Sequence, residues 1–209
     1  IAILAERFYE NMSIRWYVDT MIEVIVVAGA HVAEAVWYRI VQTVINNEEV
    51  HEYAAQKLFN SVQSKTCHEV CICLAAYLLG EIGFFICDKP GCSGFEQFAA
   101  LHQHFELITA PSKSLLLTCY IKLSNQYPDV TDEVQAIFTK LSSSSELDLQ
   151  QRACEYAALP LQGDDIMQAI LERMPNWEEK EVSVLQHITE ATEASKETAD
   201  KQASQVTVE

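Results

Sequence analysis

Glycine and proline are scarce, with 6 and 5 among 209 residues. With so few breakers, and with Leu, Ala, Glu and Gln frequent, the chain favours helices over strands and turns. Cations are also few: 14 Lys and Arg stand against 30 Asp and Glu, a formal net charge of -16. No Lys/Arg-rich run is present to match a duplex or an anionic membrane, so the chain is not expected to bind nucleic acid or phosphoinositide on its own. A basic partner subunit is compatible with that charge. Glycine-rich phosphate loops, H-E-x-x-H and nucleophile elbows are missing as well.

No long uninterrupted apolar run occurs either. The best stretch, TCHEVCICLAAYLLGEIGFFIC from Thr66 to Cys87, is apolar from Val70 only to Gly80 before Glu81 intervenes, and Asp88, Lys89 and Pro90 close it. A bilayer span needs about 20 consecutive apolar residues. Seven cysteines, an odd count without a signal peptide, fit reduced thiols in a cytosolic protein rather than a disulfide framework. The opening IAILAERFYE has no initiator Met and begins in mid-pattern, so the chain is expected to be an excerpt of a longer polypeptide.

Cys67, His68, Cys71, Cys73, Cys87 and Cys92 invite a metal reading, which helical geometry disfavours. Cys71 and Cys73 are two apart and diverge on a helix, while Cys67 and Cys71 share a face but supply only two ligands. Cys87 and Cys92 lie at the far end of a predicted helix, about 30 Å away. The same stretch makes a good core helix. Cys71, Leu74, Leu78 and Phe85 form one stripe, with Ala75, Ile82 and Ile86 beside it and Ile72, Ala76 and Leu79 broadening it. Such a helix is expected to be covered on more than one side. Glu81 then requires a structural ion pair or a hydrogen bond from a neighbouring helix.

Periodicity predicts helices near 1–11, 16–29, 33–46, 49–62, 68–87, 95–107, 112–126, 130–141, 147–158 and 163–173. Gly29, Asn46-Asn47, Pro90-Gly91, Pro111, Pro128, the Ser142 to Ser145 run and Gly163 mark the joints. Two-helix units begin near Trp16, Glu49, Phe95 and Val130, with a half-unit near Asp164, at offsets of 33, 46, 35 and 34 residues. These offsets bracket the repeat of about 40 residues in HEAT and armadillo arrays, and predict an all-α, HEAT/armadillo-like helical-repeat solenoid. A globular all-α enzyme is the competing fold. After Pro175, residues 176–209 turn acidic and polar, with Val182, Leu185 and Ile188 as one short apolar edge. They are expected to form an acidic terminal helix and the start of a flexible hinge.

No catalytic, cofactor-binding or metal-binding residue is predicted. His102 and His104 diverge on a helix, and His31, His51, His68 and His187 read as ordinary surface or core histidines. Cys119 and Cys154 sit at apolar helical positions that suit inert thiols, and Asp164 and Asp165 complement a helix start. Trp16-Tyr17 and Trp37-Tyr38 each place one ring in the stack, with core packing expected for both tryptophans. Trp177 is left as a potential interface residue.

Five segments in order carry a resemblance: WYVDTM at Trp16, EAVWYRIVQTVIN at Glu34, YLLGEIG at Tyr77, LLLTCYIKL at Leu115 and LQQRACEY at Leu149. Over roughly residues 1–175 the chain resembles the C-terminal part of the trunk of the α-adaptin family, large chains of AP-2 clathrin adaptors. The resemblance implies a non-enzymatic solenoid scaffold without cofactors. It also implies assembly with a small, a medium and a second large subunit, and work in endocytosis and protein transport with the clathrin-coat machinery. The implied location is cytoplasmic, peripheral to the plasma membrane at clathrin-coated pits. Phosphoinositide and cargo binding are implied to lie outside this segment. The cysteine-rich CICLAAY and the continuation EYAALP depart from the family pattern. A scaffold of another vesicle coat and an all-α enzyme fragment are the alternatives.

Overall fold

The computed structural model describes Ala5 and residues 12–177. Among these are nine α-helices and no strand: α1 Ile14–Ala28, α2 Glu34–Asn46, α3 His51–Val62, α4 Glu69–Ile82, α5 Gly94–His102, α6 Ala110–Gln126, α7 Thr131–Leu141, α8 Leu147–Ala158 and α9 Asp164–Leu171. The predicted helix at 1–11, and His187, Val182, Leu185 and Ile188 of the acidic segment, fall outside the described residues. Local chemistry sets several boundaries. Ser13 accepts the Trp16 amide at the start of α1. Ser93 and Glu96 form a reciprocal capping box at α5. Pro111 opens α6, where a missing N–H costs nothing.

The helices form two layers. The even-numbered helices α2, α4, α6 and α8 make one row of successive neighbours, and α1, α3 and α5 lie across it. Successive two-helix units begin at Ile14, His51, Gly94 and Thr131, followed by α9 at Asp164. This is the helical-repeat solenoid anticipated from the spacing, because each helix pair buries its apolar stripe against the next.

α4 is the central helix of the even row, packed against α2, α3 and α6. By length and composition, Glu69–Ile86 would suffice to cross a membrane. In the fold, Cys71, Ile72, Leu74, Ala75, Ala76, Leu78, Leu79, Ile82 and Ile86 are all buried in protein. Phe85 departs from the expected core stripe and is 40% exposed. The cause is a change of helix type: the α-helix ends at Ile82 and Gly83–Ile86 form a 3-10 turn. A 3-10 residue advances further around the axis than an α residue, so the stripe slips and Ile86 takes the core position. Gly83 leaves room there for the Gln97 side chain, since an added Cβ would lie 2.3 Å from Gln97 Oε1 and push it aside. The predicted helix 95–107 also breaks, ending at His102 before a 3-10 turn at Phe105–Leu107.

The two Trp-Tyr pairs resolve oppositely. Tyr17 is buried while Trp16 is 37% exposed, whereas Trp37 is buried and Tyr38 exposed. Core packing therefore holds for Trp37 and fails for Trp16, because α1 turns Tyr17 inward instead.

Candidate functional site

The densest polar arrangement lies along the C-terminal ends of α2, α4 and α6. Glu81, in the last turn of α4, forms an ion pair with Lys122 of α6, their side chains 6% and 11% exposed. The partner expected for Glu81 is thus a lysine on the adjacent helix of the same row. A cation here also offsets the negative ends of both helix dipoles. The second Glu81 oxygen, Oε2, accepts the Met174 amide at 3.0 Å, and Lys122 Nζ also donates to the Glu172 carbonyl at 3.4 Å.

Residues 172–177, which follow α9, therefore run back over the even row. Pro175 favours extended backbone at Met174. The Arg173 guanidinium lies 5.2 Å from the Phe84 ring centroid and 5.8 Å from that of Phe85. At the far end, Asn46, the last residue of α2, grips Trp177 by both main-chain groups. Its Oδ1 accepts the Trp177 amide at 2.8 Å and its Nδ2 donates to the Trp177 carbonyl at 3.0 Å. Trp177 remains 42% exposed.

A second polar knot joins the N-terminal ends of α4 and α6. Glu69 accepts hydrogen bonds from the Thr109 amide at 3.1 Å and from the Thr109 and Ser112 hydroxyls. Cys73 Sγ donates to Ser112 Oγ at 3.2 Å. Burial works against the Glu69 carboxylate, but the Ser112 and Thr109 bonds outweigh it and hold its pKa below the usual range. At α1 and α3, Asp19 binds Lys57 and Tyr53. Its pKa is likewise lowered, with desolvation opposed by those two partners.

The residues weighed for metal or catalysis do not converge. Among the described residues no group of three His, Cys, Asp or Glu side chains is placed to hold a metal ion. Cys71 faces the core while Cys73 points to Ser112. A hydrogen bond between Cys67 and Cys71 lowers the pKa of Cys67 and, together with burial, raises that of Cys71. Burial pushes Cys119 up to about 12, and Cys154 is an exposed free thiol. His51 and His104 are buried and bond to the Ile45 and Val62 carbonyls, at 3.3 and 2.8 Å. His102 stacks between Phe98 and Phe105 with Nδ1 3.2 Å from the Tyr120 hydroxyl. Its pKa is lowered by burial. Asp164 and Asp165 occupy the exposed first turn of α9.

The described residues form a helical-repeat surface, and the comparisons with known proteins say which family it belongs to. The family profile described as "Adaptin N terminal region" matches residues 1–164. This chain belongs to the adaptin family. The chain is 42% identical over 175 residues to "AP-2 complex subunit alpha-2" of Dictyostelium discoideum, an alignment covering 84% of this chain and 18% of that protein. It is 35% identical over 175 residues to "AP-2 complex subunit alpha" of Schizosaccharomyces pombe, covering 84% and 20%. It is 36% identical over 206 residues to "AP-2 complex subunit alpha-1" of Arabidopsis thaliana, covering 97% and 20%. The adaptin segment in hand thus spans only 18% to 20% of the length of these relatives.

Residues 172–177 were missed as a structural element in the sequence because their bonds run from main chain to distant side chains. The only local signal in this adaptin was Met174-Pro175, which favours an extended path without saying where it leads.

Proposed function

We propose that this chain is a non-enzymatic scaffold segment of an AP-2-like clathrin adaptor large subunit. It supports adaptor assembly in clathrin-mediated endocytosis and intracellular protein transport. The observation that carries this reading is the similarity, at 35% to 42% identity, to subunits named as AP-2 alpha chains in three organisms. The fold is consistent with it: a solenoid offers long side surfaces and stacked helix ends, which suit several partners at once.

Residues 1–175 serve as the C-terminal portion of the trunk, and 176–209 as an acidic terminal helix and the start of a flexible hinge. The partners are an adaptor small chain, a medium chain and a second large chain, and the clathrin coat is engaged through the full-length protein. Phosphoinositide and cargo are bound elsewhere in that protein, in keeping with a net charge of -16 here. The working location is the cytoplasmic face of the plasma membrane at coated pits.

Co-purification of the intact polypeptide tests the proposal. One small, one medium and one other large chain in stable stoichiometry are expected. A monomer, or a set of partners from another coat, overturns it.

A further inference from the structure

The geometry points to residues 172–177 acting as a releasable intramolecular latch, which clips three even-row helices together and moves the departure point of the following chain from α9 back to α2. The match of lengths supports it. Five residue steps of extended chain, Glu172 to Trp177, reach about 17 Å at about 3.4 Å each. The two interaxial steps from α6 to α4 and from α4 to α2 span about 16–20 Å. Contacts fall in register with that path: Glu172 against Lys122 of α6, Met174 against Glu81 of α4, and Trp177 against Asn46 of α2.

The mode of attachment suits a latch. Four hydrogen bonds hold the segment by its main chain, at Glu172, Met174 and twice at Trp177, where Asn46 grips both the N–H and the C=O. Arg173, over Phe84 and Phe85, adds a side-chain contact of its own. Met174 and Trp177 keep 40% and 42% of their surface exposed, so the segment covers the helix ends without entering the core. Short, half-exposed segments of this kind open at much lower free energy than packed helices. Phe85, turned out of the core stripe by the 3-10 turn, lies where the segment crosses.

Opening would shift the origin of the chain that follows Trp177 by the length of the segment. Latching is internal to the chain, so it can fail or hold independently of the adaptor reading.

Limited trypsin digestion of the full chain tests the latch, because Arg173 lies inside it and exposed Lys65, in the turn between α3 and α4, is an internal reference. In the wild-type chain, cleavage after Arg173 is expected to be at least about tenfold slower than after Lys65. Asn46→Ala and, separately, Pro175→Gly should each raise the Arg173 rate about tenfold, with helical circular dichroism unchanged. Hydrogen exchange should show the Met174 and Trp177 amides protected in the wild-type chain and released in both variants. Wild-type exchange at unstructured-peptide rates overturns the proposal. So does Arg173 cleavage that both variants leave unchanged, or loss of helicity in Pro175→Gly, which would make the segment part of the folded core.

Discussion

Glu81 and Lys122, 41 residues apart in the chain, form a buried ion pair that ties α4 to α6. Removing one partner leaves an uncompensated charge at a site largely shielded from water. Lys122→Met should therefore cost about 3–5 kcal/mol, read as a fall in the urea midpoint at unchanged slope. The double variant Glu81→Gln, Lys122→Met should recover most of that loss, because no charge remains and Gln still accepts the Met174 amide.

The slip at Gly83 separates two neighbours on the sequence stripe. Leu78 is fully buried, so Leu78→Ala should cost about 2–5 kcal/mol. Phe85 is 40% exposed, and Phe85→Ala should cost about 1 kcal/mol or less. Equal losses in parallel denaturant titrations would place Phe85 back in the core.

Acid should loosen the α4–α6 knot in a defined direction. Glu69 has a folded-state pKa below its ordinary value of 4.5. Its contribution is therefore complete above that value and is lost as pH falls through the lower folded-state pKa. Glu69→Gln should flatten part of the acid limb of the stability curve while changing little of its shape between pH 6 and 8. A series of urea midpoints from about pH 3 to pH 8 is the measurement.

Thiol reactivity should sort by burial. Cys154 is exposed, and half-buried Cys67 has its thiolate favoured by Cys71. Both should react with a disulfide reagent in the native chain at pH 8. Cys71, Cys92 and Cys119 are buried and should react only on unfolding. Mass spectrometry of the labelled peptides distinguishes the two sets.

Much of the architecture was legible from the residues. Starts of the paired units read near Trp16, Glu49, Phe95, Val130 and Asp164 fall within three residues of the observed Ile14, His51, Gly94, Thr131 and Asp164. Breakers and apolar spacing are local signals, and helices obey them. The misplacements share another origin. Phe85 lies where Gly83 lets an α-helix tighten to 3-10, and Trp16 loses the core to Tyr17 through the rotation of α1 against its neighbours. Both depend on phase, which a small change in winding alters and which a list of apolar positions does not contain.

By itself, the sequence determined a helical repeat: period, breakers and charge are short-range properties, and each helix carries its own apolar stripe. It also determined that Glu81 needed a partner, since burying a carboxylate unpaired is too costly. Only the tertiary structure decided which partner. Lys122, the Met174 amide and the Asn46 grip on Trp177 come from points 41, 93 and 131 residues apart. Stacking of the helices brings them together, and no local pattern encodes a bond whose donor is the main chain of a distant extended segment.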